Sequence, residues 1–185
     1  MRLTQLLPLL AGTAAAIDIY IHEELDCKGS YSLCVGVPPN TCCGVVVRYR
    51  SVAFLGIPTN WNLNLRAHKG GTCSLLGWQH NYLGVDHACL YAPGGYTPVT
   101  GGGYSFNSSP SPKKRADLAP PEQCAAAVSK CEAYQRPNEV GFRDGVKYDL
   151  TRLDEAAGDE LMAILGTGGS SAEVPASFDI AKITE

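Results

Sequence analysis

The chain has 185 residues, of which 15 are Lys or Arg and 18 are Asp or Glu, and its formal net charge is -3 at pH 7. Affinity for nucleic acid comes mainly from basic side chains that neutralise phosphates, so a slightly acidic chain without a basic stripe argues against a nucleic-acid partner. No apolar run approaches the roughly 20 residues that span a bilayer, and stable membrane insertion is therefore not expected.

The amino terminus has the features of a secretion signal. A charged start at Met1 and Arg2 is followed by an apolar run from Leu6 to Leu10 and by small residues up to Ala16. This order is typical of a signal peptide that is removed on export. We expect residues 1–16 to be that signal and the protein to be secreted to the extracellular space.

Residues 17–109 predict a mainly β fold, namely a small, disulfide-rich, antiparallel β-sandwich in which a Greek-key arrangement is possible. The segments 17–21 and 61–68 alternate between apolar and other residues, and 45–55 is rich in branched and aromatic side chains. Such period-two runs, separated by Pro and Gly, are typical of short strands joined by turns.

The eight cysteines are expected to form disulfides, because an exported chain meets an oxidising compartment. Six lie before residue 113 and two lie after residue 115, so each part can close its own bridges. The spacing leaves the pairing open, and the last two either pair with each other or tie the two parts together. The cysteines are Cys27, Cys34, Cys42, Cys43, Cys73, Cys89, Cys124 and Cys131.

A linker rich in Pro and Ser is expected at residues 110–119, and it contains Lys113, Lys114 and Arg115. A basic pair on an exposed segment resembles the target of kexin-like secretory proteases, so we predict a processing site here; a plain solvated linker is the alternative. Just before it, Asn107 begins an Asn-Ser-Ser glycosylation sequon.

Residues 120–185 predict a smaller, acidic α+β segment. Residues 122–134 are predicted to be helical, and Asp144-Gly145 between alternating residues indicates a hairpin within 140–150. Residues 151–154 can cap a following helix. The apolar face of that helix would consist of Leu153, Ala157, Leu161, Ile164 and Leu165.

No motif for catalysis, for a metal or for a cofactor is apparent in the sequence. The histidines lack the paired spacing of zinc enzymes, and neither a nucleophile elbow nor a phosphate-binding loop occurs. A pocket that gathers His80, Asp86 and His87 would be needed to support the third hypothesis, a small secreted hydrolase.

Several aromatic side chains could stack on sugar rings. The candidates for ligand binding are Trp61, Trp78, Tyr82 and Tyr91. If they were exposed together, they would favour a module that binds cell-wall polysaccharide.

The layout resembles that of fungal small secreted cysteine-rich proteins, many of which act outside the cell as effectors or toxins. The start of the β domain, with Ile19-Tyr20 followed by Cys27-Lys28-Gly29-Ser30, also resembles the opening of a β/γ-crystallin Greek key. That family's calcium-binding residues have no counterpart here, so the resemblance does not imply calcium.

The resulting prediction is a secreted, non-enzymatic, effector-like or toxin-like protein that binds an extracellular protein. The alternative is a protein that binds wall polysaccharide.

Overall fold

The computed structural model describes residues 15–71, 73–92, 94, 98–107 and 132–184. This part of the chain contains twelve strands, one α-helix and short 3-10 helices, which confirms the prediction of a mainly β fold. The strands are β1 (Ile17–His22), β2 (Tyr31–Val37), β3 (Thr41–Tyr49), β4 (Ser51–Leu55), β5 (Asn62–Lys69), β6 (Leu75–Leu83), β7 (His87–Tyr91), β8 (Val99–Phe106), β9 (Ala133–Gln135), β10 (Glu139–Gly141), β11 (Lys147–Asp149) and β12 (Lys182–Ile183). The α-helix is α1 (Glu155–Gly166).

The strands form two sheets that pack face to face. The first sheet has the order β12-β11-β10-β2-β1-β4-β7, and the second has the order β6-β5-β8-β3-β9. All pairs are antiparallel except β3 with β9, which are parallel. At Gly102 in β8 the two sheets come so close that an added Cβ would lie 2.5 Å from Val52 Cγ1 and 3.0 Å from Ile19 Cγ2.

Alternation in the sequence decides which side chains enter the core. In β1 the three isoleucines at 17, 19 and 21 are buried between the sheets, which places Asp18, Tyr20 and His22 on the outer face. In β5 the residues Leu63, Leu65 and Ala67 are buried in the same way. The outer face of the first sheet is therefore lined by Asp18, Tyr20 and His22, together with the residues that lie beside them on the adjacent strands.

Three disulfides brace the described part of the chain. They are Cys27–Cys89, Cys34–Cys43 and Cys42–Cys73, with Cα atoms 6.0, 5.8 and 6.4 Å apart. Cys27–Cys89 ties the loop after β1 to β7, at the edge of the first sheet. Cys34–Cys43 links β2 of the first sheet to β3 of the second.

The carboxy-terminal segment adds strands to both sheets. Its hairpin β10–β11 turns at Asp144-Gly145 and pairs with β2, while β9 pairs with β3. The predicted hairpin is thus confirmed. Because residues 110–119, between the two parts, lie outside the described ranges, the division into domains at 109 and 119 stays a prediction.

Helix α1 confirms the helix predicted after the capping segment. It begins after Asp154, whose carboxylate accepts a hydrogen bond from the Ala157 backbone N–H at 2.8 Å. Leu161, Met162 and Leu165 are buried, and Gly166 packs against Val47 of β3. The predicted apolar face is therefore the face that packs on the protein.

The helix predicted over residues 122–134 is wrong at its described end. Ala133 and Tyr134 belong to strand β9, since their backbone pairs with β3 and the Tyr134 hydroxyl donates to the Gly44 carbonyl at 3.1 Å. Sheet pairing outweighs local helix propensity here. Residues 122–131 lie outside the described ranges. Within those ranges, no helix has the length and apolar character needed to cross a membrane.

Candidate functional site

The aromatic residues predicted to bind ligands do not form one exposed surface. Trp61 lies 4.9 Å from Phe106 and 6.5 Å from Tyr104, measured between ring centroids. Trp78 and Tyr82 in β6 also pack against the core. Tyr91 in β7 is exposed, with 46% of its surface accessible.

Of the three residues considered for a hydrolase site, Asp86 and His87 lie together, whereas His80 lies on the other sheet. Asp86 Oδ1 lies 2.6 Å from His87 Nδ1, and this hydrogen bond lowers the pKa of Asp86. His80 lies on β6 in the second sheet, whereas His87 begins β7 in the first. Among the described residues, no three His, Cys, Asp or Glu side chains are placed to hold a metal ion.

The remaining predicted site residues lie mostly outside the described ranges. This applies to Cys124, Cys131 and the basic run 113–115. Asn107 is described, and its side-chain Nδ2 donates to Asn62 Oδ1 at 2.7 Å. Its glycosylation stays a prediction.

A groove of about 510 Å³ crosses the outer face of the first sheet. We call it the tyrosine groove. Ala53 lies in register with Tyr20 on one side and with Cys89 on the other, so its small side chain leaves space between the ring and the disulfide. The residues that line the groove are Tyr20, His22, Asp26, Cys27, Tyr31, Ala53, Leu55, His87, Ala88 and Cys89.

Three aromatic rings form one end of the tyrosine groove. The centroids of Tyr20 and Tyr31 are 5.0 Å apart and their planes are tilted by 58°. The His22 ring stacks on Tyr20 at 6.0 Å with an interplanar angle of 12°. The tilt gives the groove two aromatic surfaces that meet at an angle.

The Tyr31 ring is fixed by the carboxy-terminal segment. Its hydroxyl donates to Glu139 Oε1 at 2.8 Å, across the pairing of β2 with β10. The ring also covers Gly141, where any side chain would overlap it. Glycine is therefore required at this position to hold the tyrosine in place.

The loop between β1 and β2 forms another wall of the groove and is held by several bonds. The Ser51 hydroxyl donates to the Glu24 carbonyl at 2.5 Å and accepts from the Cys27 backbone N–H at 3.1 Å. Asp26 and Cys27 both have left-handed backbone conformations, with φ of 60° and 56°. Non-glycine residues rarely adopt this region, and such strain persists only where surrounding contacts enforce it.

The carboxylates near the tyrosine groove favour a negative electrostatic potential there. Burial raises the pKa of Tyr20, and the carboxylates of Asp18 and Glu139 raise it further. Burial lowers the pKa of His22, although the backbone carbonyls of Gly29 and Lys28 oppose this effect. His22 is therefore neutral near pH 7 and adds no positive charge to the groove.

A second cavity, of about 620 Å³, lies beside the same loop, but its charged side chains serve to hold the fold together. Its Arg143 guanidinium pairs with the carboxylates of Glu23 and Glu24, and Asp144 accepts a hydrogen bond from the Ser171 hydroxyl. The charged side chains that line it therefore already have partners within the protein. The tyrosine groove, which combines two tilted tyrosine rings with an apolar floor, is the better candidate for a binding site.

Sequence reasoning missed the two tyrosines of this groove. Tyr20 and Tyr31 are separated in the chain, and only the antiparallel register that places His22 opposite Tyr31 brings them together. The alternation of isoleucines in β1 was the available signal, since it puts Tyr20 on the outer face.

The fold and this site define a disulfide-braced, two-sheet β protein with an aromatic groove on one outer face. The chain belongs to the family described as ARB_05566_N, an N-terminal domain, whose family model matches residues 18–138. No curated protein and no solved structure matches the chain. The three disulfides among the described residues are consistent with an extracellular role.

Proposed function

We propose that this is a secreted, non-enzymatic protein of the effector or toxin type, which binds an extracellular partner protein through the tyrosine groove. In this proposal residues 1–16 direct export, and cutting after Arg115 is a maturation step. Resemblance to fungal small secreted cysteine-rich proteins supports the general type of activity.

One observation carries the proposal: Tyr20 and Tyr31 offer tilted ring surfaces on a rigid floor. Tyrosine gives a large contact area with few rotatable bonds, which is why it is enriched at the centres of protein interfaces. Strands β1 and β2 position the two rings against each other, and the Glu139 hydrogen bond holds the Tyr31 hydroxyl, so binding has less to order.

The wall-polysaccharide alternative is less well supported. Stacking on sugars needs accessible ring faces, whereas Trp61, Trp78 and Tyr82 pack against the core. Retention of the oxidised protein on chitin, β-glucan or cellulose, with loss of retention in Tyr91→Ser, would favour this alternative.

Photo-crosslinking tests the proposal. The full chain carries p-benzoylphenylalanine in place of Leu55, which lines the groove and is 40% exposed. A matched control carries it in place of Val46, which lies on the second sheet and is 54% exposed. Each labelled protein is incubated with the extracellular fluid in which the protein is proposed to act, and the crosslink is then induced by light.

We expect a discrete protein adduct from the Leu55 position alone. Excess unlabelled wild type should compete it away, and excess Tyr20→Ser protein should not. Equal adducts from both positions, or adducts that wild type does not reduce, would contradict a groove-specific partner. Intact mass of the secreted protein checks export separately, because it reports the first residue and the number of free thiols.

A further inference from the structure

We infer that the tyrosine groove takes a basic side chain, lysine or arginine, from the partner protein. This inference rests on the proposed function and specifies the chemistry that the groove would recognise. It is carried by the ring geometry, by the carboxylates around the rings and by the apolar floor.

The ring geometry suits a cation. A positive group above the face of a tyrosine is attracted by the negative ring face within about 6 Å of the centroid. Tyr20 and Tyr31 lie 5.0 Å apart and are tilted by 58°, so a single cation at their junction can contact both rings.

Carboxylates surround these rings without committed cations. Asp18 Oδ1 accepts from the Gly36 backbone N–H at 2.8 Å, and Glu139 accepts from the Tyr31 hydroxyl. Asp26 lines the groove directly. Within the described ranges, none of these three acids takes part in an ion pair, whereas Arg143 is paired with Glu23 and Glu24.

The floor suits the stem of a basic side chain. Ala53, Leu55 and the Cys27–Cys89 bridge give apolar surface next to the rings. Lysine and arginine bury their aliphatic stems on such surfaces and keep the charged end near polar groups. A neutral side chain of the same shape would use the floor but would leave the carboxylates without a cationic partner.

An NMR titration of the ¹⁵N-labelled full chain tests the inference. The probes are acetylated and amidated glycine pentapeptides with a central arginine, lysine or citrulline, and citrulline serves as the neutral isostere of arginine. The titrations are made at about 10 mM and about 150 mM salt, where the Debye lengths are about 30 Å and about 8 Å.

We expect the arginine and lysine peptides to shift the amides around Tyr20, Tyr31 and Leu55, more weakly at the higher salt concentration. The citrulline peptide should bind at least about fivefold more weakly, because it loses the cation–π and carboxylate attractions. Tyr20→Leu should weaken arginine-peptide binding, whereas Tyr91→Leu, at an exposed tyrosine outside the groove lining, should not.

Paired acid variants test the charge contribution. Asp26→Asn should weaken arginine-peptide binding about threefold, as expected for loss of one exposed charge. Asparagine tolerates the left-handed backbone at this position, so the loop should keep its conformation. Glu160→Gln removes the same charge from α1, away from the groove, and should leave binding unchanged.

Equal binding of the arginine and citrulline peptides, or equal effects of Asp26→Asn and Glu160→Gln, would overturn the inference that the groove recognises a basic side chain. The proposal that the groove is a binding surface would still stand. Absence of shifts at the groove with every peptide would overturn the inference. If the Leu55 crosslink were also insensitive to competitor, the proposed function itself would fail.

Discussion

Removal of the Cys27–Cys89 bridge, which lines the tyrosine groove, tests how much this disulfide contributes to the free energy of unfolding. The double variant Cys27→Ser with Cys89→Ser frees the loop after β1 from β7. A disulfide acts largely by restricting the unfolded chain, so its effect depends on the loop that it closes.

The loss in unfolding free energy follows from the bridge topology. A closed loop of 62 residues would correspond to about 4.3 kcal/mol at 25 °C. However, Cys34–Cys43 and Cys42–Cys73 remain and shorten the covalent path to about 26 residues. The same relation then gives a loss of about 3.5 kcal/mol.

Urea unfolding of the oxidised proteins, followed by tryptophan fluorescence, measures this loss. We expect a lower midpoint and a steeper dependence on urea, because the less restricted unfolded chain exposes more surface. Ser51→Ala is the control: it keeps the bridge, loses the hydroxyl bonds to Glu24 and Cys27, and should cost about 1–3 kcal/mol. A loss below about 1 kcal/mol in the double variant would refute the proposed role of the bridge.

Three further predictions follow from buried groups and from strand pairing. Burial, and then the charge of Arg66, lowers the pKa of His68 from 6.5 to about 4. Between these values the unfolded chain binds a proton that the folded chain does not, so stability should fall by up to about 3 kcal/mol as pH drops from 6.5 to 4. Urea unfolding of wild type and His68→Gln at several pH values checks this, and a pH-independent difference between them would contradict it. If the chain is cut after Arg115, the two pieces should co-elute in native size-exclusion chromatography, because β9 and β10 pair with β3 and β2; separation without denaturant would refute this. Gly102→Ala should destabilise the protein by about 1–3 kcal/mol, since its Cβ would press on Val52 between the sheets; an unchanged thermal midpoint would contradict this packing.

Local sequence patterns predicted the elements that depend on local physics. The strict alternation over 61–68 predicted β5, and the Asp144-Gly145 turn predicted the β10–β11 hairpin. Asp154 caps α1 through a bond within its own first turn. In each case the residues that decide the structure are neighbours in the chain.

Contacts between distant residues decided what the sequence could not predict. The cysteine spacing left the pairing open, since only the folded sheets place Cys27 beside Cys89. The aromatic residues Trp61 and Trp78 could as well have been exposed as packed on the core. Helix propensity failed at Tyr134 because β3 offers it a strand partner.

The candidate site combines parts of the chain that sequence comparison separates. The family model ends at residue 138, and Glu139, which holds the Tyr31 hydroxyl, follows directly. Gly141 makes room for the same ring, and Arg143 neutralises Glu23 and Glu24 on the adjoining loop. The carboxy-terminal segment therefore orients the Tyr31 wall of the groove, places the Glu139 carboxylate beside it, and pairs with two acids of the adjoining loop. Binding of a partner in this groove would therefore depend on both parts of the chain. The tyrosines come from the amino-terminal part, whereas Glu139 and Gly141, which hold Tyr31 in place, come from the carboxy-terminal part.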